Sequence, residues 1–186
     1  MKRFGWGLAL AAAFAAGCGG GDEKTNGEGS GGASAKETKA VAKIESRDGS
    51  TVKGTATFTA KDGKVTLKVE IEGATAGMHA FHIHEKGDCS GADAKTAGGH
   101  WNPTAKAHGK WGEGEFHLGD IGNVNVGADG KGTLEVTTDL WSVGTGKDND
   151  VVGKSVIVHE GVDDFKTQPT GNAGKRFGCA AIELVK

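Results

Sequence analysis

Apolar and polar residues alternate with a period of two along much of residues 39–186. The clearest case is "KVTLKVEIEG", in which Val65, Leu67, Val69 and Ile71 share one parity and polar residues fill the other. Successive side chains of a strand point to opposite faces, so this pattern predicts a β-strand with one buried face. Further strands are predicted in "AVAKIE", "TATFTA", "NVNV", "GTLEVTTD", "KSVIVHE" and "CAAIELV".

Turn signals separate these predicted strands. Asp62-Gly63 lies between two alternating runs, and Asp129-Gly130 repeats the arrangement. Asp-Gly is a preferred hairpin turn, and no stretch of the domain has an amphipathic helical pattern. Many short strands joined by turns predict an all-β fold, either an antiparallel sandwich or a barrel. Two glycine-rich stretches, 85–116 and 160–178, lack the alternation and are predicted to be long functional loops.

The first 38 residues follow a different pattern. Residues 1–17 combine the basic "MKRF" with the apolar "WGLALAAAFAA", which is too short to span a bilayer and suits an export signal. The small residues before Cys18 resemble the lipobox of bacterial lipoproteins, although Ala15 stands where Leu is more usual. Residues 18–38 carry almost no apolar residue except alanine and are predicted to be a flexible tether to the folded domain, 39–186.

The lipobox resemblance implies that Cys18 is lipidated and that the chain is held in the cell envelope, in the periplasm or at the outer membrane. In this hypothesis the lipid is the only membrane contact. The alternative is an ordinary secretory signal with an incidental cysteine, because small residues are common at cleavage sites.

Composition excludes some classes of protein and constrains the cysteines. The 34 glycines show no Gly-X-Y period, which excludes collagen, and a net charge of −2 gives no global attraction for nucleic acid or anionic membranes. Of the three cysteines, Cys89 and Cys179 are left to pair once Cys18 is set aside. They form either a disulfide or two separate buried thiols. A disulfide would close a loop of roughly 90 residues and stabilise the fold by about 4–5 kcal/mol.

The histidines carry the candidate chemistry. In "FHIHE", His82 and His84 share one strand face, whereas His79 has the parity of Phe81 and Ile83 and is predicted to be structural. An isolated H-x-H pair is more often exposed or hydrogen-bonded than a metal ligand. Imidazoles suit copper, and three imidazoles with a carboxylate suit tetrahedral zinc. The further candidates for such sets are His100, His108, His117, Asp120 and His159.

These motifs together resemble the copper/zinc superoxide dismutases over about residues 40–186. The matching stretches are "FHIHEKGD", "GGHWNP", "HGK", "FHLGDIGNV", "VIVHEGVDD" and "GNAGKRFGCAAI". The intervals 100 to 108, 108 to 117 and 117 to 120 also fit the family. The resemblance implies a Greek-key antiparallel β-sandwich or flattened barrel with two long functional loops. It also implies an enzyme that dismutates superoxide to dioxygen and hydrogen peroxide with copper and zinc as cofactors, protecting the cell envelope.

Carried over residue by residue, the resemblance implies two metal sites that share a deprotonated His100. The copper ligands would be His82, His84, His100 and His159. The zinc ligands would be His100, His108, His117 and Asp120. In the family scheme, His100 also takes up a proton and delivers it to the peroxide.

Two further residues gain roles from the resemblance. Asp163 would link His82 to His108, although Asp164 is also acidic and only family spacing separates the two. Arg176 would attract superoxide to the open copper position, whereas an arginine in a loop is by default a solvated surface charge. Lys166 and Lys175 could add to the positive field or be ordinary solvated lysines.

Two other functions remain open at this point. One is a non-enzymatic copper-binding or copper-delivery envelope lipoprotein, and the other is a metal-free relative without activity. The complete ligand set, the presence of only Met1 and Met78, and the lack of a CxxC motif favour the enzyme. Family members differ in their dimer interfaces, so both a monomer and a homodimer are compatible with the sequence.

Overall fold

The computed structural model describes residues 36–186, which form short antiparallel strands joined by turns and long loops. The predictions for residues 1–17, for Cys18 and for nearly all of the tether at 18–38 lie outside this range. Within it, no helix has the length and apolar character needed to cross a membrane. The strands are β1 (Thr38–Ser46), β2 (Lys53–Lys61), β3 (Lys64–Glu72), β4 (Gly77–His84), β5 (Asp120–Val126), β6 (Lys131–Thr138), β7 (Ser155–His159), β8 (Arg176–Ala181) and β9 (Glu183–Leu184).

Eight of these strands close into an antiparallel barrel. Their order around it is β1-β2-β3-β6-β5-β4-β7-β8, with β8 pairing back to β1 and the short β9 also pairing with β1. Strands β4, β5 and β6 are consecutive neighbours, and β7 returns to lie beside β4, which is the Greek-key arrangement. The predicted all-β Greek-key barrel is therefore confirmed.

Both predicted hairpins are present, with different turns. Asp62 and Gly63 have φ of 51° and 75° and directly join β2 to β3, because two residues with positive φ match the twist of paired strands. The second hairpin uses four residues, 127–130, and is closed by the Gly127 N–H, which donates to the Lys131 carbonyl at 2.9 Å. The position of each predicted turn was right, although only the first is a two-residue turn.

The barrel interior contains the apolar side of the alternating strands. Val65, Leu67, Val69 and Ile71 are all buried, as their parity predicts. Strand β4 differs because every residue from His79 to His84 is buried. One parity of β4 joins the hydrophobic core, and the other is covered by loops, which is where a buried polar site can form.

The loops depart from the predictions at their ends. The first long loop runs from 85 to 119, three residues beyond the predicted 85–116, because β5 begins at Asp120. The second ends at 175 rather than 178, because Arg176 already pairs with His159 in the β7–β8 ladder. "CAAIELV" was predicted as one strand, but β8 ends at Ala181 and the short β9 follows after Ile182.

A third loop, 139–154, was not singled out by the sequence. Its buried Asp150 carboxylate accepts hydrogen bonds from the backbone N–H groups of Gly144, Gly146 and Val152. These bonds satisfy main-chain donors that would otherwise lack partners, so one side chain fixes the loop. No part of the metal-ligand set comes from this segment.

Candidate dinuclear metal centre

Strand β4 and its neighbours position the first group of histidines. His82 and His84 pair with Ile157 and Ser155 of β7, and a bulge between Phe81 and His82 shifts the register with β5. His159 lies at the end of β7. The first long loop brings His100 to the same place through an isolated antiparallel bridge between His84 and His100.

Two groups of potential ligand atoms lie under the loops, and His100 belongs to both. In each group the ligand atoms are within 4.8 Å of one another, and all of the residues are buried. The rings of His82 and His100 are 4.0 Å apart between centroids. The first group is His82, His84, His100 and His159. The second group is His100, His108, His117 and Asp120. These are the same sets that the family resemblance implies for copper and zinc.

The first group presents unpaired nitrogen atoms to one another. His82 Nδ1, His84 Nε2, His100 Nε2 and His159 Nε2 are buried without a hydrogen-bond partner among residues 36–186. Buried polar atoms are normally paired, so four converging exceptions need an explanation. The opposite nitrogen of each ring is engaged: His82 Nε2 with Asp163, His84 Nδ1 with the Gly98 carbonyl, His100 Nδ1 with Asp120 and, at a longer 3.5 Å, His159 Nδ1 with the Gly174 carbonyl. Each ring is thus oriented by a contact at one nitrogen while its other nitrogen faces the centre of the group, which is the arrangement expected of metal-binding histidines.

The second group is organised around the Asp120 carboxylate. His100 Nδ1 lies 2.8 Å from Asp120 Oδ1, and His117 Nδ1 lies 3.0 Å from the same oxygen. His108 Nδ1 lies 3.0 Å from Asp120 Oδ2 but lacks the geometry of a hydrogen bond. The N–H groups of Gly109 and His117 also donate to Oδ2 and fix the carboxylate. Three imidazole nitrogens around one carboxylate fit the donor set of tetrahedral zinc.

Asp163 links the two groups. Its Oδ2 lies 2.8 Å from His82 Nε2, and its Oδ1 lies 2.9 Å from His108 Nε2. The side-chain amide of Asn123 pairs with the Asp163 backbone, accepting from its N–H at 2.8 Å and donating to its carbonyl at 3.1 Å. Asp164 is exposed and instead accepts from nearby N–H groups of its own turn. Asp163, and not Asp164, is therefore the acid that contacts the histidines. Asn123, which the sequence did not indicate, holds the backbone of Asp163.

Burial sets the protonation of the first group. It lowers the pKa of His82, His84 and His159 below the ordinary histidine value, and it lowers the pKa of His100 to about 4. Desolvation disfavours the charged imidazolium, so these rings are neutral near pH 7. A neutral imidazole has the free lone pair that metal binding requires.

The two buried acids, Asp120 and Asp163, stay charged, whereas the histidines of the first group are neutral. Burial would raise the pKa of Asp120 and Asp163, but hydrogen bonds from their histidine partners outweigh it and hold both pKa values well below the ordinary range. Burial would likewise lower the pKa of His108, yet its contacts with the same two acids raise it to about 9. Asp120 therefore stays ionised within the second group, with the ionised Asp163 behind His108, and buried negative charge of this kind attracts a divalent cation.

His79 lies outside both groups, in agreement with its parity. Its Nδ1 lies 2.9 Å from the His159 carbonyl, and its Nε2 lies 2.9 Å from the Thr75 carbonyl. His79 therefore connects the start of β4 to the backbone of a candidate ligand rather than contributing a ligand atom.

Arg176 lies beside the first group and is fixed at both ends of its guanidinium. Nη1 donates to the Ala94 carbonyl and Nη2 donates to the Gly98 carbonyl, each at 2.8 Å. The Gly98 carbonyl also accepts from His84 Nδ1 at 3.0 Å. One carbonyl thus connects the arginine to a candidate copper ligand.

The surface depression next to Arg176 contains charges of both signs. It is lined by Asp48, Asp93, Lys95, Gly174, Lys175 and Arg176. Lys175 pairs with Asp48 at 3.3 Å and Lys95 pairs with Asp93 at 2.8 Å, so two of the positive charges are partly offset. Lys166 is exposed elsewhere on the second loop and does not line this depression.

Cys89 and Cys179 form a disulfide, with Cα atoms 5.9 Å apart. This confirms the pairing and excludes two separate thiols. Around it, Ala94, Ala97 and Ile157 pack in a small apolar cluster. The bond therefore fastens the loop segment that carries the carbonyl partners of Arg176 to β8, the strand that begins with Arg176.

Comparisons with known proteins agree with this geometry. The family model described as copper/zinc superoxide dismutase (SODC) matches residues 52–182. A "Superoxide dismutase [Cu-Zn]" of Caulobacter vibrioides is 40% identical over 149 residues, covering 77% of this chain and 85% of that protein. An "Extracellular superoxide dismutase [Cu-Zn]" of Caenorhabditis elegans is 37% identical over 139 residues, covering 72% of this chain and 62% of that protein.

Among solved structures, the clock protein EA4 shares the fold, with a TM-score of 0.71 and 34% sequence identity. That similarity covers 79% of this chain and 94% of EA4. The chain belongs to the copper/zinc superoxide dismutase family.

Proposed function

We propose that this chain is a superoxide dismutase, converting two superoxide anions and two protons into dioxygen and hydrogen peroxide. The observation that carries the proposal is the pair of buried donor groups that share His100. Within the part of the chain that the structure describes, four imidazole nitrogens without a hydrogen-bond partner converge in the first group, and three imidazoles surround a carboxylate in the second. Family membership supports the same activity.

The two donor sets would hold different metals. When bound, copper supplies one-electron oxidation and reduction, whereas zinc supplies a fixed positive charge without redox chemistry. Copper would be held by His82, His84, His100 and His159, and zinc by His100, His108, His117 and Asp120. Asp163 orients one ring of each set and keeps their separation fixed.

His100 is placed to move the proton that peroxide formation requires. Its Nδ1 faces Asp120 in the second group, and its Nε2 faces the first group. When Nδ1 serves as a ligand atom of the second group and carries no proton, Nε2 can hold the single proton of the neutral ring. That proton then passes to the reduced oxygen species, and the second proton of the overall reaction comes from solvent.

Arg176 is placed to attract and orient the substrate. Arg176 is partly exposed, lines the surface depression described above, and has its guanidinium held by two carbonyl oxygens. A permanently charged, oriented group raises the local concentration of a small anion and lowers the cost of orienting it.

A dismutation assay on the metal-loaded protein tests this function. Catalysed loss of superoxide is expected for the wild type, and His159→Ala is expected to lose it because one imidazole of the first group is gone. A wild-type protein that holds both metals without dismutating superoxide would instead support a copper-binding or copper-delivery role.

We further propose that the enzyme is exported by residues 1–17 and anchored to the cell envelope through a lipid on Cys18, with residues 18–38 as tether. The lipobox-like residues before Cys18 support this proposal, and envelope protection from superoxide is the role it implies. Labelled fatty acid should enter the wild type and not Cys18→Ser, and detergent partitioning should change in parallel. A mature chain that begins beyond Cys18 would overturn the anchor without affecting the proposed activity.

A further inference from the structure

The side-chain amide of Gln168 pairs with the backbone of His108. Gln168 Oε1 accepts from the His108 N–H at 2.8 Å, and Gln168 Nε2 donates to the His108 carbonyl at 2.8 Å. We call this pair of bonds the amide clamp. It joins the second long loop to the first, across 60 positions of sequence.

The clamp holds the main chain of a residue whose ring is shared between two acids. His108 Nδ1 lies 3.0 Å from Asp120, and His108 Nε2 lies 2.9 Å from Asp163. A small rotation of the His108 backbone would move both ring nitrogens. The two hydrogen bonds, one to the His108 N–H and one to the His108 carbonyl, oppose such a rotation because both come from the same rigid amide group of Gln168.

Gln168 is itself supported by a compact turn. The Asp164 carboxylate accepts from the N–H groups of Lys166 and Thr167, and the Gly171 N–H donates to the Thr167 carbonyl. The Asp164 N–H in turn donates to the Gly171 carbonyl at 3.0 Å. These bonds close residues 164–171 into one unit, so that Gln168 projects from a fixed support.

We infer that Gln168 is a positioning residue for the zinc group, acting through the backbone of His108. The inference rests on the proposed function only in taking the second donor group to be a zinc site. It differs from the role of Asp163, which touches the histidine rings themselves. The clamp holds the backbone of His108 in place, and Asp163 holds the orientation of the His108 ring.

Gln168→Met tests the clamp because methionine is similar in length and removes both hydrogen bonds. Zinc affinity, measured by chelator competition, should fall about tenfold, as expected for losing support outside the ligands themselves. Copper affinity should fall by clearly less than zinc affinity, since Gln168 bonds to the zinc ligand His108 and reaches His82 only through the Asp163 bridge. With cobalt(II) in place of zinc, the visible absorption bands should shift, which reports a changed ligand geometry that loss of stability alone would not produce.

Lys166→Ala is the matched control, because it alters an exposed side chain of the same turn outside the clamp. It should keep wild-type zinc affinity and cobalt(II) bands. Gln168→Glu retains the acceptor for the His108 N–H but sets a carboxylate oxygen against the His108 carbonyl, so it should also lower zinc affinity below the wild-type value. It also provides a second variant if Gln168→Met does not fold.

Unchanged zinc affinity and cobalt(II) bands in both Gln168 variants would overturn the inference. Equal losses of zinc and copper affinity would also overturn it, because they would indicate general destabilisation. Failure of the proposed function is a separate outcome, seen as a lack of dismutation by the metal-loaded wild type.

Discussion

Gly171 lies against the Asp163 carboxylate so closely that position 171 has no room for a side chain. A Cβ atom there would overlap Asp163 Oδ1 and lie 2.7 Å from His108 Nε2. Gly171 also has φ of +68°, in the left-handed region. The acid that links the two donor groups is therefore confined by a glycine eight positions further along the same loop.

Gly171→Ala should weaken binding of both metals. The new methyl group must displace the Asp163 carboxylate, which holds one ring in each donor group, and a loss of about tenfold or more in affinity is expected. Equilibrium titration of the metal-free protein with zinc and with copper measures it.

Gly146→Ala is the matched control for backbone strain. Gly146 has φ of +69°, but a Cβ atom there would meet no atom of residues 36–186 within 4 Å. Both variants should therefore lose about 1–2 kcal/mol of stability from left-handed backbone alone. Only Gly171→Ala should lose metal affinity, and equal metal affinity in the two variants would contradict the steric account.

Asp163→Asn should lower zinc affinity by about 10–100-fold while leaving the barrel folded. An ionised Asp163 accepts from both His82 Nε2 and His108 Nε2, whereas an asparagine presents one acceptor and one donor. One ring must therefore lose its partner. Zinc content after dialysis against a weak chelator measures the loss, with Asp139→Asn, at an exposed acid outside both metal loops, as the control that should retain zinc.

The predictability of the barrel from sequence follows from its local physics. The parity of Val65 and Ile71 predicts which face of β3 is buried. Asp62 and Gly63 are residue types that readily adopt the positive φ that the turn requires. Parity also separates His79 from His82, because strand geometry alone puts them on different faces. Each of these signals is confined to a few consecutive residues.

The support around the metal groups could not be predicted in this way. Asp163 and Asp164 are adjacent acids that the local pattern does not distinguish; the family spacing indicates Asp163, and its burial shows that this is the acid in contact with histidines. Asn123 and Gln168 are ordinary polar residues whose backbone partners lie 40 and 60 positions away. Such contacts depend on how two loops pack on the barrel, which no local pattern encodes.

Arg176→Ala should slow dismutation about tenfold at low ionic strength while metal content stays normal. Among the described residues the guanidinium bonds only to carbonyl oxygens, and it supplies no ligand atom, so its loss removes attraction for the anion. The dependence of the rate on salt should weaken in parallel, because less of the encounter is electrostatic.

Two controls separate charge from position in that experiment. Lys53→Ala removes a positive charge from β2, where Lys53 pairs with Glu72, and should leave the rate unchanged. Arg176→Lys keeps the charge but not the two-carbonyl geometry, so its rate should fall between wild type and Arg176→Ala. An Arg176→Ala rate equal to wild type would remove Arg176 from substrate attraction.

Breaking the disulfide should cost both stability and the fixed position of Arg176. Cys179→Ser should lower the free energy of unfolding by about 2–5 kcal/mol, because the bond closes a loop across 90 positions of sequence. It should also slow dismutation, since the freed loop carries the Ala94 and Gly98 carbonyls that hold the guanidinium. Denaturant unfolding and the superoxide assay measure the two effects.

In the oxidised wild type, thiol titration should find neither Cys89 nor Cys179 free, and adding reductant should reproduce the Cys179→Ser phenotype. If Cys179→Ser were destabilised while its rate and salt dependence stayed at wild-type values, the bond would stabilise the barrel without positioning Arg176.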